Sequence, residues 1–210
     1  MAIAFPFLSG GKLWAQTNSE RIVPISECSW VVKLSPLSAL VGEFPISAEY
    51  ALGNRYTVEA GIGILTRNYI ASTTGEAPLL GGGAGGCEFC DYNANISWFV
   101  RARLFLTGMP YSGGYIGATV HRKPFDGSIS VNSLMAPFAE SATDLGFFFG
   151  LQSTHSEWFL LDIYFGAAVR MVNFDRPFFD FSGSEPIVLR ETLSETGLVL
   201  SFGVQVGVLL

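Results

Sequence analysis

The stretch GLVLSFGVQVGVLL, residues 197–210, decides the fold of this chain because its side chains alternate in character without a break. Even-numbered positions carry Leu, Phe or Val, whereas most odd-numbered positions carry Gly, Ser or Gln. Successive side chains of a strand point to opposite faces, so this stretch predicts one apolar wall and one largely polar or small wall. Strands of globular proteins usually run about five or six residues. Ten or more in alternation is typical of a closed barrel that crosses a bilayer.

The composition favours the same interpretation. Of the 210 residues, 49% are hydrophobic and only 14% are charged, against about 25% charged in ordinary soluble domains. No run approaches the roughly 20 consecutive apolar residues that a transmembrane helix requires. The net charge of −6 provides no basic face, which argues against a nucleic-acid partner.

The chain divides into three predicted regions. Residues 1–16 resemble the remnant of a signal peptide, because an apolar stretch precedes a small residue at a cleavage-like site. The alternative is a short apolar arm or a disordered tail. Residues 17–27 form a polar leader, and residues 28–210 form a single β domain.

Alternation predicts eight strands, with connections of two kinds. The strands are residues 28–35, 41–51, 55–66, 92–106, 112–122, 143–153, 157–171 and 196–210. Three tight turns alternate with long segments at 67–91, 123–142 and 172–195, which are rich in Gly, Pro, Ser and aromatic residues. Short turns at one rim and long loops at the other are typical of outer-membrane barrels. The predicted fold is therefore an all-β, eight-stranded, antiparallel up-and-down transmembrane β-barrel with short periplasmic turns and long outer loops.

With this layout the chain resembles the small eight-stranded outer-membrane β-barrel proteins of Gram-negative bacteria, the OmpA-like barrel class. The resemblance covers residues 28–210 and lies in strand layout and patterning. It is supported by Trp30, Tyr50, Tyr56 and Trp98, which fall near strand ends as an interfacial aromatic girdle would. One departure is Leu210, because proteins of that class usually end in an aromatic residue. The resemblance implies an outer-membrane location and contact with outer-membrane lipid.

Charged side chains fall almost entirely in the inward register of these strands. They are Lys33, Glu43, Glu49, Glu59, Arg101, Arg103, His121, Asp162 and Arg170. Unpaired buried charges are strongly destabilising, so we expect Glu49 and Glu59 to face Arg101 and Arg103, with Lys33 and Asp162 completing the network. A plugged, salt-bridged core is the favoured interpretation. A charged pathway for solutes and a pair of catalytic carboxylates are the alternatives.

Three other features invite a chemical interpretation. Cys87 and Cys90 form a CxxC pair, which suits a loop-pinning disulfide, a redox pair or half of a metal site. The disulfide is favoured, because no second CxxC or His pair accompanies it; neither a metal nor a cofactor is expected. His121 could serve a lipid hydrolase if a Ser lay beside it. Phe174, Phe178, Phe179 and Phe181 crowd one predicted loop, where they would cap the barrel mouth or contact a partner.

The favoured function is a non-enzymatic membrane anchor in the outer membrane of a Gram-negative bacterium. Its outer loops would contact lipopolysaccharide or another envelope protein. The alternatives are a narrow channel for ions or small solutes and a membrane-embedded lipid hydrolase. A soluble lipocalin-like calyx fits poorly, because it would place the apolar face inside and the charges outside.

Overall fold

A computed structural model describes residues 30–40, 42–66, 78–80, 90–107, 109–131, 134–155, 158–180 and 187–210. The predicted signal-peptide remnant 1–16, the leader 17–27, Cys87 and Phe181 lie outside these residues.

The described chain is almost entirely β-strand. Its elements are β1 (Trp30–Leu34), α1 (Pro36–Leu40), β2 (Glu43–Ala51), β3 (Tyr56–Leu65), β4 (Pro78–Leu80), β5 (Cys90–Tyr92), β6 (Asn95–Phe105), β7 (Gly113–Val131), β8 (Leu134–Thr154), β9 (Phe159–Asp180) and β10 (Ile187–Leu209). Eight strands pair antiparallel in the order β1, β2, β3, β6, β7, β8, β9 and β10, and β10 returns to β1. The predicted all-β, up-and-down arrangement of eight strands is confirmed, and the strands close in a ring.

The ring is staggered. The pairing followed from Val31 passes through Glu49, Glu59, Arg101, Thr119, Gly146 and Ala168 to Val199 on β10. Val31 itself pairs with Leu209, ten residues further along β10. Such a stagger over eight strands tilts each strand by about 40° and leaves an interior just wide enough for side chains to fill. One end of the ring carries the short turns and is called the turn end; the opposite end is the hairpin end.

Two predicted loops prove wrong. Residues 123–142 and 172–195 lie mostly in strands, because β7 with β8 and β9 with β10 run on past the ring as two long hairpins. The loop prediction relied partly on Pro124, Pro137 and Pro177. Each proline lies beyond the last residue that pairs with the neighbouring strand on one side. The pairing of β6 with β7 ends at Arg122, and the pairing of β8 with β9 ends at Ala139 and Asp175. Proline is tolerated at such a free edge.

The seam between β1 and β10 is short. Only Val206 to Leu209 of β10 pair with β1. Beyond them α1 occupies the position next to β10 and β2, in the short connection 36–40 between the first two predicted strands. Gly42 ends this segment with φ 82°, a conformation that glycine adopts readily. In the part of the chain that the structure describes, no helix is long and apolar enough to cross a membrane.

Two short strands extend the sheet at the hairpin end. β4 pairs with β10 at Leu198 and Val199, and β5 pairs with β7 at residues 127–129. Cys90 begins β5. Because Cys87 lies outside the described residues, the predicted disulfide stays a prediction.

Candidate functional site

The interior of the ring collects the charged residues. The period-two pattern turns every second side chain inward, and the nine residues predicted to face inward occupy interior positions of their strands. Seven are buried, whereas His121 and Arg170 are half-buried. These residues separate into two sets. The central cluster, near the turn end, contains Lys33, Glu49, Glu59, Arg101, Arg103 and Asp162. The second group, nearer the hairpin end, contains Glu43, His121 and Arg170.

Arg103 is the hub of the central cluster. Its Nη1 lies 2.7 Å from Glu49 Oε1, and its Nη2 contacts Glu59 Oε2. The same Nη2 is 3.2 Å from Asp162 Oδ2 and donates to Gln205 Oε1 at 3.2 Å. One guanidinium therefore meets three carboxylates that come from β2, β3 and β9.

Lys33 and Tyr115 complete the central cluster. Lys33 Nζ contacts Glu49 and lies 2.9 Å from Asp162 Oδ2. The Tyr115 hydroxyl donates to Asp162 Oδ1 at 2.5 Å. Lys33, Arg101 and Arg103 thus balance Glu49, Glu59 and Asp162. This balance matters because removing one partner of a buried ion pair leaves an uncompensated charge.

Arg101 lies at the edge of this cluster nearest the hairpin end. Its guanidinium carbon is 4.4 Å from the centre of the Phe99 ring and 4.7 Å from that of Tyr164. Its Nη2 donates to the Tyr164 hydroxyl at 3.0 Å, while its Nη1 is 3.7 Å from Glu59 Oε2. Arg101 is therefore held mainly by aromatic faces.

The second group is centred on Glu43. Glu43 Oε1 accepts from Ser97 Oγ at 2.6 Å and lies 2.9 Å from His121 Nε2. Lys123 Nζ is 3.5 Å from Glu43 Oε2. The carboxylate thus bridges Ser97 and His121. A nucleophilic serine needs its own hydrogen bond to the imidazole, so this order of groups does not match a Ser–His–acid triad.

Arg170 forms a bidentate pair with Asp144. Its Nε and Nη2 donate to the two carboxylate oxygens of Asp144, each at 2.7 Å. The sequence prediction named Arg170 but missed Asp144 and Lys123. Lys123 follows from the inward register once β7 is extended past His121. Asp144 lies within the predicted strand 143–153, in the same register as Phe148, and was overlooked there.

Apolar side chains close the interior at the turn end. Val31, Tyr111, Leu160 and Leu209 form a buried cluster there. Tyr111 has φ 65°, a left-handed conformation that is uncommon for a residue with a side chain. Together with the central cluster behind it, this plug closes the interior at the turn end.

Three of the four phenylalanines of the predicted contact site lie in a strand and not in a loop. Phe174 lies in β9, where it is buried against Ala142 and Val172. Phe178 and Phe179 also lie in β9, and Phe181 is outside the described residues. The sequence predicted a loop here because the apolar side chains beside Pro177, Asp175 and Asp180 do not alternate cleanly. Phe174 therefore belongs to the packing of the hairpins.

Asp126 ties the start of β6 to the extended part of β7. Its carboxylate accepts from Asn93 Nδ2 at 2.7 Å and from Asn95 Nδ2. The hydrogen bond from Asn93, followed by that from Asn95, holds the pKa of Asp126 below its usual value. This contact persists above the normal Asp pKa and is lost as the pH falls through the lowered pKa. We expect NMR titration to show an upward shift of this pKa in Asn93→Ala, with Asn173→Ala as a control.

Gly203 leaves space for an interior aromatic ring. A Cβ at this position would overlap the ring of Tyr164, which holds Arg101. We expect Gly203→Val to destabilise the fold by about 1–3 kcal/mol through overpacking, measured by urea unfolding in detergent. Gly114→Val is the matched control, because a Cβ there would be 3.7 Å from Leu151 Cδ2 and meet no closer atom. Equal losses in the two variants would contradict the assigned role of Gly203.

No known protein family matches the chain, and neither does any curated protein or solved structure. Among the described residues, no group of three or more His, Cys, Asp or Glu side chains could hold a metal ion. What the chain does must therefore be inferred from the ring, its interior and its hairpins.

Proposed function

We propose that the chain is an integral outer-membrane protein of a Gram-negative bacterium, whose ring is a transmembrane β-barrel that anchors the two hairpins outside the cell. The observation that carries this proposal is the outward face of the ring. Large apolar side chains such as Phe147, which is 78% exposed, point outward while the charges are buried inside. A soluble protein would bury the first set and expose the second.

The outward band is uniform around all eight strands. From strand to strand its members are Trp30, Val32 and Leu34; Phe44, Ile46, Ala48 and Tyr50; Tyr56, Val58, Ala60, Ile62 and Ile64; Ile96, Trp98, Val100, Ala102 and Leu104; Gly114, Ile116, Ala118 and Val120; Leu145, Phe147, Phe149 and Leu151; Leu161, Ile163, Phe165, Ala167 and Val169; and Leu198, Leu200, Phe202, Val204, Val206 and Val208. Within these described positions, none carries a charge. Exposed apolar surface of this extent marks contact with lipid or with another apolar surface.

The dimensions of the band suit a bilayer. About ten residues per strand at a tilt near 40° span about 25 Å, which is the height of the apolar band of outer-membrane barrels. Trp30, Tyr50 and Tyr56 lie at the turn end of the band, and Trp98 lies towards its other end, opposite Arg122. These aromatic residues fit the interfacial girdles of such proteins.

The hairpins supply the contacting surface in this proposal. Outer-membrane barrels place short turns in the periplasm and longer connections outside, which orients the β7–β8 and β9–β10 hairpins towards the surroundings. Met135, Leu189 and Leu193 are exposed on these hairpins and replace Phe174 as the proposed apolar contacts. The partners are outer-membrane lipid around the ring, with lipopolysaccharide or another envelope protein at the hairpins. No enzymatic activity or cofactor is proposed.

Cell fractionation combined with gel migration tests the location and the fold together. We expect the protein in the outer-membrane fraction, extracted only by detergent. An unboiled sample should migrate differently from a boiled one, because a closed ring resists unfolding by the gel detergent. Recovery of folded protein in the soluble fraction without detergent would overturn the proposal.

The closed interior predicts that the ring does not conduct ions. The central cluster and the plug of Val31, Tyr111 and Leu160 block the turn end. We therefore expect no steady current steps in planar bilayers. Stable steps that disappear when Arg101 and Arg103 are neutralised would favour the narrow channel instead.

A further inference from the structure

A cavity of about 120 Å³ lies inside the ring, between the central cluster and α1. Its lining includes Arg101, Thr119, Tyr164, Ala168, Ser201 and Ser38. It also includes the titratable side chains of the second group and its neighbours, which are Glu43, His121, Lys123 and Asp144. The plug at the turn end leaves it closed on that side. Phe202 of the outward band and Lys123, at the start of the β7–β8 hairpin, also contribute to the lining.

Small residues that pair with one another across neighbouring strands create this space. Arg101 pairs across the sheet with Thr119, which pairs with Gly146, which in turn pairs with Ala168. Paired residues of neighbouring strands point to the same face. The long side chain of Arg101 and the hydroxyl of Thr119 therefore face two positions with little or no side chain.

Two polar atoms of these paired residues have no hydrogen-bond partner among the described residues. They are Arg101 Nη1 and Thr119 Oγ1, and both residues line the cavity. Arg101 is only 8% exposed, so bulk water does not readily satisfy its free N–H groups. Buried polar atoms normally have a partner, and an exception indicates an ordered water or a ligand.

The charge of Arg101 is the least directly paired in the interior. Its nearest carboxylate oxygen, Glu59 Oε2, is 3.7 Å away. That carboxylate already contacts Arg103, and its other oxygen accepts from Ser47 at 2.5 Å and from Gln205 at 3.0 Å. Lys123 and Arg170 have Glu43 and Asp144 as partners. A guanidinium with free donors beside a hydroxyl suits a carboxylate, which accepts strong charge-assisted hydrogen bonds.

We propose that this cavity binds a small carboxylate, which accepts hydrogen bonds from Arg101 Nη1 and Thr119 Oγ1. The cavity is small, which favours a ligand of only a few non-hydrogen atoms. Acetate, with four non-hydrogen atoms, is the matching probe. The inference is independent of membrane insertion, so it can stand or fall separately from the proposed function.

NMR titration of the folded protein in detergent with carbon-13 acetate tests the proposal. We expect saturable shifts of the Thr119 and Ala168 signals. Acetamide, a neutral molecule of the same shape, should cause none, and chloride at equal ionic strength should not compete. Equal responses to acetamide would overturn the carboxylate assignment. Equal competition by chloride would show a general ion effect, and no saturable response would show that the cavity holds water only.

Three variants locate the binding. Thr119→Val removes the hydroxyl at nearly constant volume, and Ala168→Leu fills the cavity without changing any charge. We expect each to weaken acetate binding by about tenfold or more. Ala167→Leu is the matched control, because the same substitution one residue earlier points outward; its binding should change by less than about twofold. Unchanged binding in a folded Thr119→Val protein would overturn the proposal even if Ala168→Leu failed to fold.

Discussion

Replacing Arg103 with Met is expected to lower the free energy of unfolding by about 3–5 kcal/mol, the usual cost of leaving buried charges unpaired. The guanidinium lies 2.7 Å from Glu49, contacts Glu59, and is 3.2 Å from Asp162. Without it, Lys33 would be the nearest remaining cation for Glu49 and Asp162, and Glu59 would keep only the more distant Arg101. Met preserves most of the packing volume, so the loss would report the charge.

Urea unfolding in detergent, followed by tryptophan fluorescence, measures this loss. Arg190→Met is the control, because the Arg190–Asp175 pair at 3.3 Å is solvent-exposed and such pairs contribute at most about 1 kcal/mol. Acidification should recover part of the stability of Arg103→Met, since a protonated carboxyl group needs no counter-charge. The double variant Arg103→Met with Glu59→Gln should be more stable than Arg103→Met alone. A loss no larger than that of the Arg190 control would contradict the proposed hub.

Introducing Arg at Ala118 is expected to destabilise the protein in lipid vesicles by about 2–4 kcal/mol, because Ala118 lies near the middle of the outward band. Ala118 pairs with Ala102 and Phe147, both of which face outward. A charge at this depth would lose its hydration to lipid. The reversible unfolding of vesicle-inserted protein in urea provides the measurement.

Two controls separate membrane placement from size. Ala118→Leu adds an apolar side chain at the same position and should change stability by less than about 1 kcal/mol. Thr192→Arg introduces the same charge on the exposed part of β10 beyond the ring, where water remains available. Equal losses at Ala118 and Thr192 would mean that the band does not face lipid.

The strands of the ring were predictable because their two walls differ so sharply. In β6, Ile96, Trp98 and Val100 alternate with Ser97, Phe99 and Arg101, and the observed strand differs from the prediction by only a few residues. The inward register placed the charged residues on one face. It could not give distances, because the partner of each charge depends on the stagger of the ring. That Arg103 meets Asp162, for example, follows only from three-dimensional closure.

The hairpin extensions were not predictable from local rules. Proline normally interrupts a strand. Pro124 and Pro177 are tolerated here because the neighbouring strand on one side ends before it reaches them. The same error hid Lys123, since an assumed loop has no inward face, whereas Asp144 lay within the predicted strand 143–153 and was overlooked. Thr119 and Ala168 carry no chemical signal of their own; they become informative only when a cavity brings them to Arg101.

The short seam between β1 and β10 has a kinetic consequence. Neighbouring strands elsewhere in the ring are joined by chain segments that bring them together early, but Val31 and Leu209 are separated by nearly all of the described chain. Closing so long a loop for four residue pairs has a high entropic cost that local hairpins avoid. Closure of this seam should therefore be the last step of folding. The contact between Lys33 on β1 and Asp162 on β9 would then form only in this last step, when β1 joins the ring.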